Sequence, residues 1–132
     1  MLNRVCLDTS AYSNFRRGEA RAVRAIDGAE WVGVPAIVLG ELWTGFLLGT
    51  RTERNVAELQ AFLRHPAVEP ISVDDEVARI YGEIVVDLRA GGTPIPTNDI
   101  WIAACAARTG AAVLTFDAHF RNITRVGSVV IE

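Results

Sequence analysis

Pro94-Ile95-Pro96-Thr97-Asn98-Asp99-Ile100-Trp101-Ile102-Ala103-Ala104-Cys105-Ala106-Ala107-Arg108-Thr109-Gly110-Ala111-Ala112-Val113-Leu114-Thr115-Phe116-Asp117-Ala118-His119-Phe120 is the stretch whose reading decides the fold. Pro94 and Pro96 bar a helix from the loop, and Thr97 or Asn98 is predicted to cap the helix that follows. Asp99 then falls in the first turn, where the helix dipole favours a carboxylate. Ile100, Ile102, Ala103, Ala106 and Ala107 form an apolar stripe at helical spacing, and Gly110 supplies the stop. Ala111 to Thr115 reads as a short buried strand with Asp117 at its end. A helix opening on Asp99 and a strand ending at Asp117 can bring two carboxylates to one edge of a sheet. In open α/β sheets, ligands bind beyond the carboxyl ends of the strands.

Working outward, strands are predicted over Arg4–Leu7, Trp31–Val34, Val68–Val73 and Val126–Ile131. Pro70 places the third of these at an edge. Helices are predicted from Ser10 as cap through Tyr12 and Phe15, over Glu19–Ile26, Ala36–Leu48, Thr52–Leu63 and Asp74–Leu88, with a turn or short helix from Asp117 to Phe120. Strands that read as continuous apolar runs and alternate with helices indicate a three-layer α/β sandwich around a parallel sheet. One domain over residues 1–132 is expected, with no internal repeat or linker.

Composition limits the function. Half of the residues are hydrophobic, which excludes a disordered or fibrous chain. No apolar run spans a bilayer, since Ala36–Leu48 is short and carries Glu41. The N-terminus meets Asp8 too early for a signal peptide, so a cytoplasmic protein is expected. Cys6 and Cys105 sit in apolar segments and read as small buried hydrophobes. A net charge of −3 argues against a general nucleic-acid coat. Every basic residue other than the histidines is arginine, and no mechanism that needs a lysine is open.

Asp8, Glu41, Asp99 and Asp117 stand out against apolar surroundings. An unpaired buried carboxylate is costly, so such acids need a cation or a shared proton. With hard oxygen donors and no Cys/His cluster of zinc spacing, Mg²⁺ or Mn²⁺ is the expected ion. Such an ion activates a bound water and supports in-line displacement at phosphorus. Each acid also has a reading that needs no ion: Asp8 as a cap, Asp99 as a dipole partner, Asp117 as a turn residue, Glu41 as a helix residue facing water. The repeated placement at sheet edges favours the metal site.

Leu7-Asp8-Thr9-Ser10, Gly40-Glu41-Leu42, Asn98-Asp99-Ile100-Trp101-Ile102-Ala103-Ala104 and Thr115-Phe116-Asp117-Ala118-His119-Phe120, taken in order, resemble the four motifs of a PIN domain of the VapC toxin type. The resemblance implies a Mg²⁺- or Mn²⁺-dependent ribonuclease, the toxin of a toxin–antitoxin pair, which hydrolyses RNA as a homodimer and is neutralised by a cognate antitoxin. It implies Asp8, Asp99 and Asp117 as the main metal ligands, with Glu41 orienting water or holding a second ion. Thr9 or Ser10 would support the first carboxylate, and Asn98 would flank the site. Where many relatives carry an Asn or a further acid in the last motif, this chain has Ala118 and His119.

Other residues carry smaller expectations. His119 either touches the phosphate or a base or, beside Phe120, reads foremost as a packing residue, and His65 reads as a helix-end residue. Arg16, Arg17, Arg21 and Arg24 lie near the Asp8 loop and either hold RNA phosphates or form a solvated basic face. Trp43, Phe46 and Leu47 either bury in the core or serve a partner. Three rivals share the acidic sheet edge. A phospho-accepting receiver needs a lysine that is absent, and an aspartyl-phosphate phosphatase, another metal-dependent phosphohydrolase, needs an Asp-x-Asp that Asp8-Thr9-Ser10 lacks. A catalytically silent PIN fold acting as a binding module does not account for the presence of every acid.

Overall fold

The computed structural model describes residues 3–132. Five strands, β1 (Arg4–Leu7), β2 (Trp31–Pro35), β3 (Val68–Ile71), β4 (Ala112–Thr115) and β5 (Ser128–Val130), make one sheet in the order β3-β2-β1-β4-β5. Every pairing is parallel. The helices α1 (Thr9–Arg16), α2 (Ala20–Asp27), α3 (Ala36–Leu48), α4 (Thr52–Leu63), α5 (Asp75–Ala90) and α6 (Thr97–Thr109) supply the crossovers as far as β4, and a 3₁₀ turn joins β4 to β5, giving the three-layer α/β architecture. No helix among the described residues is long and apolar enough to cross a membrane. The signal-peptide expectation rests in part on Met1 and Leu2, which lie outside the described residues.

The central strands are apolar because both of their faces are covered. Val5, Cys6 and Leu7 of β1 and Val113 and Leu114 of β4 have no exposed surface. Helix α6 buries Ile102, Ala103, Ala104, Cys105 and Ala106 in succession. Small residues on this helix let its backbone approach the sheet, where it touches β1, β2 and β4. Gly110 ends it in the left-handed conformation at φ 70°, which a Cβ would strain. Both cysteines are buried free thiols.

Chain direction across the sheet sets the position of the site. From β1 the connections move outward through β2 to β3, then return past β1 to β4 and on to β5. The neighbours β1 and β4 are therefore followed by connections that run opposite ways, and a crevice opens between their carboxyl ends. Their register pairs Leu7 with Leu114. Asp8 continues the ladder by donating its N–H to the Leu114 carbonyl at 3.3 Å.

Several local expectations are corrected. Asp8, not Ser10, is the N-cap of α1: it is the residue still in extended backbone, and its carboxylate accepts from Ala11 N. Neither Thr97 nor Asn98 caps α6. Pro96 holds that position without a side-chain bond, and its carbonyl accepts from Asp99 N at 3.1 Å and Ile100 N at 3.3 Å. Strand β3 stops at Ile71, and Val73 is exposed. Its Pro70 lies on an edge strand, as expected. The assigned β5 is shorter than Val126–Ile131, although Gly127 O and Ile131 N still bond to β4 on either side of it.

Candidate active site

Asp8 follows β1 directly, and only 5% of its surface is exposed. Oδ1 accepts from Ser10 Oγ at 2.7 Å and from Ala11 N at 2.8 Å, and Oδ2 accepts from Thr115 Oγ1 at 2.5 Å. Two hydroxyls thus link the start of α1 to the end of β4. Ser10 Oγ also accepts from Phe116 N at 3.1 Å, and Thr115 Oγ1 from Asp117 N at 2.9 Å. Thr9 turns the other way and donates to Glu41 Oε1 on α3 at 2.7 Å. Of the two residues expected to support the first carboxylate, Ser10 does so, while Thr9 holds Glu41.

Asp99 stands half-buried in the first turn of α6. Asp117 is the residue before a 3₁₀ turn, Ala118–Asn122, and its Oδ1 accepts from His119 N at 3.2 Å. This turn folds the His119 ring back between the two carboxylates. Nε2 lies 2.7 Å from Asp99 Oδ2, and Nδ1 lies 2.8 Å from Asp117 Oδ1. The ring still packs near Phe120, with centroids 5.2 Å apart, but packing does not account for where its nitrogens point. The expectation of a packing residue is corrected accordingly.

One ligand atom each from Asp99, Asp117 and His119 falls within 4.8 Å of the other two. Asp8 and Glu41 are not in that tight group, but they act on it through charge. Burial pushes the Asp8 carboxyl above its ordinary value against the pull of its three hydrogen bonds, and Asp99 adds to the rise. Burial likewise raises Asp99; His119 opposes the rise, and Glu41 and Asp117 add to it. The acids therefore form one electrostatic unit at the β1/β4 crevice. Two carboxylates and an imidazole within reach of a single point suit a divalent cation.

Asn98 is exposed beside Asp99. Of the arginines, Arg21 stands over the Phe116 ring, 6.0 Å from its centroid. Arg16 and Arg17 close the far end of α1, about 12 Å along the helix from Asp8 at 1.5 Å per residue. They line a groove of about 310 Å³ with Arg51, Arg54, Tyr12 and Phe46. Arg16 pairs with Glu58 at 3.5 Å, and Arg21 pairs with Glu19 at 2.8 Å. Arg24 is exposed on α2.

Sequence reasoning missed Thr115 as a site residue and undervalued His119. A hydroxyl ending the apolar run Ala111–Leu114 is the available signal for Thr115, because a buried hydroxyl needs a partner. The signal for His119 is its place two residues after Asp117, where a tight turn returns a side chain toward the cap residue.

A parallel sheet with this strand order and an acidic crevice at its switch point defines the class, and the chain belongs to the PIN domain family, whose model matches residues 5–126. Among curated proteins it is similar to Ribonuclease VapC4 of Mycobacterium tuberculosis, 35% identical over 104 residues that cover 79% of each chain. It is also similar to Ribonuclease VapC5 of the same organism, 30% identical over 128 residues covering 95% of this chain and 91% of that one. The solved structure of VapBC-5, a member of the VapBC family of toxin–antitoxin systems from Mycobacterium tuberculosis, superimposes with a TM-score of 0.76 at 26% identity, covering 98% of this chain and 99% of that one.

Proposed function

We propose that this chain is an endoribonuclease toxin that works with Mg²⁺ or Mn²⁺ and is neutralised by a cognate antitoxin. The observation that carries the reading is the convergence of Asp99, Asp117 and His119 within 4.8 Å at the crevice, in a chain whose curated relatives are ribonucleases. A divalent ion there supplies a water of lowered pKa and positive charge for the phosphoryl and leaving oxygens. Asp99 and Asp117 would hold it, with Asp8 completing the negative field. Glu41, fixed by Thr9, would orient the attacking water. Ser10 and Thr115 keep Asp8 in place, and Asn98 borders the opening where RNA would enter. Arg16, Arg17, Arg21 and Arg24 would contribute affinity through phosphates rather than chemistry. A homodimer and an antitoxin that sends an arginine into the acidic crevice fit the same reading, since a guanidinium forks onto carboxylates.

The test uses purified protein and RNA, in EDTA and with added Mg²⁺ or Mn²⁺, with end-group analysis of the fragments. Water as nucleophile gives 5′-phosphate and 3′-hydroxyl ends, and Asp8→Ala, Glu41→Ala, Asp99→Ala and Asp117→Ala each abolish cleavage. Cleavage that persists in EDTA, or 2′,3′-cyclic phosphate ends, rules the reading out.

A further inference from the structure

The geometry points to His119 as a nitrogen ligand of the divalent ion, one that makes this site favour Mn²⁺ over Mg²⁺; the inference rests on the proposed metal-dependent function. The starting observation is the pair of short contacts made by a single ring, Nε2 to Asp99 Oδ2 at 2.7 Å and Nδ1 to Asp117 Oδ1 at 2.8 Å. Two adjacent ligands of an octahedral ion, each about 2.1 Å from it, lie about 3 Å apart. Nε2 and Asp99 Oδ2 are already within a few tenths of an ångström of that separation. An ion that takes both as ligands replaces the hydrogen bond between them, with the ring turned so that Nε2 faces the ion.

The opposite nitrogen has its own partner. Asp117 Oδ1 accepts from His119 N at 3.2 Å and faces Nδ1, so one carboxylate oxygen grips both the backbone and the ring of the same residue. A carboxylate beside the second nitrogen is the usual companion of a metal-bound imidazole, and here it stands 2.8 Å from Nδ1. The 3₁₀ turn after Asp117 brings the His119 backbone beside that carboxylate.

This donor set differs from an all-oxygen cage in one respect that can be measured. Mg²⁺ is hard and demands oxygen, whereas Mn²⁺, although it is also suited to carboxylates and stands lowest in the Irving–Williams order, is a transition ion that accepts an imidazole more readily than Mg²⁺ does. One imidazole in place of an oxygen therefore penalises Mg²⁺ more.

The test is electron spin-echo envelope modulation of Mn²⁺ bound to the full chain. A directly bound imidazole nitrogen gives a ¹⁴N modulation that converts to a ¹⁵N pattern when the protein is labelled at histidine alone. The sequence has two histidines, and the other, His65, is exposed at the end of α4 with its Nδ1 on Ala67 N. His119→Gln keeps a hydrogen-bonding side chain of similar size but offers oxygen or amide, so it should abolish the modulation. It should also cut the Mn²⁺ over Mg²⁺ preference, read by calorimetric titration, by about tenfold. Mn²⁺ that binds in an Asp99-dependent way without imidazole coupling overturns the inference and leaves the metal-dependent reading standing. Mn²⁺ binding that is indifferent to Asp99→Asn overturns both. The labelled wild-type protein decides the matter even if His119→Gln proves unstable.

Discussion

Thr115 Oγ1 donates to Asp8 Oδ2 at 2.5 Å while accepting from Asp117 N at 2.9 Å, so one buried hydroxyl ties the first acid of the site to the last. The relationship crosses from β4 to the residue after β1 and depends on the register of those two strands. Thr115→Val keeps the shape and removes the hydroxyl, leaving Asp8 short of a donor in a buried place. The variant should lose about 1–3 kcal/mol of stability, the cost of an unsatisfied buried polar group, and its Asp8 should titrate still higher. Thr115→Ser should retain most of the stability. Urea denaturation compares the three, and equal midpoints for Val and wild type would show that the bond contributes nothing.

Burial raises both Asp8 and Asp99 above the ordinary carboxylate value. The folded chain therefore binds their protons more tightly than the unfolded chain does. The stability they contribute is complete below about 3.8, their unfolded value, and is lost as pH climbs through their folded values. In EDTA, Asp99→Asn should melt above wild type at neutral pH, and that advantage should shrink steadily as the buffer is made more acidic. Melting curves at several pH values check this, and a constant difference would mean Asp99 carries no electrostatic strain.

An ion that binds only the folded chain stabilises it by RT ln(1 + [ion]/Kd) and so raises its melting temperature. Mg²⁺ and Mn²⁺ should each do so, and Asp99→Asn should remove most of the shift. Asp8→Asn preserves a cap oxygen and should reduce the shift less than Asp99→Asn, because Asp8 lies outside the tight group of ligand atoms. Calorimetric scans with and without ion report the order, and a larger effect of Asp8 would relocate the ion toward β1.

Trp43 is 41% exposed, and Leu47 and Leu48 on the same helix are 65% and 84% exposed, while Phe46 packs partly against the core. Exposed apolar side chains clustered on one helix end mark a surface that a partner covers. Trp43→Ala should weaken antitoxin binding by at least about tenfold without altering the ion-dependent rise in melting temperature. Surface plasmon resonance with the cognate antitoxin measures it; unchanged affinity would assign the patch to something else.

The elements were legible because the chain punctuates them strongly. Asp74 before α5, Gly110 after α6 and Pro35 at the end of β2 fall at the observed boundaries. The caps of α1 and α6 were not legible, since Asp8-Thr9-Ser10 and Pro96-Thr97-Asn98 each offer several residues able to begin a helix. Only the backbone conformation chooses among them. The four acids stood out by contrast with apolar neighbours. Thr115 and the aim of His119 did not, because both depend on which loops the strand order brings together. Closeness in sequence to Asp8 is not closeness in space for Arg16, because a helix of eight residues carries it to the far end of α1.

Cys6 lies in β1 just before Asp8, and Cys105 lies in α6 below Asp99; burial raises the first thiol and holds the second at about 11. Neither forms the reactive thiolate while the core is closed. Modification by an aromatic disulfide must therefore await an opening of the strand or helix that carries each acid. The rate at which each sulfur is captured becomes a clock for that opening, read separately on the two elements that build the crevice. In a chain without lysine, these sulfurs are timers built into the strand and the helix that carry Asp8 and Asp99.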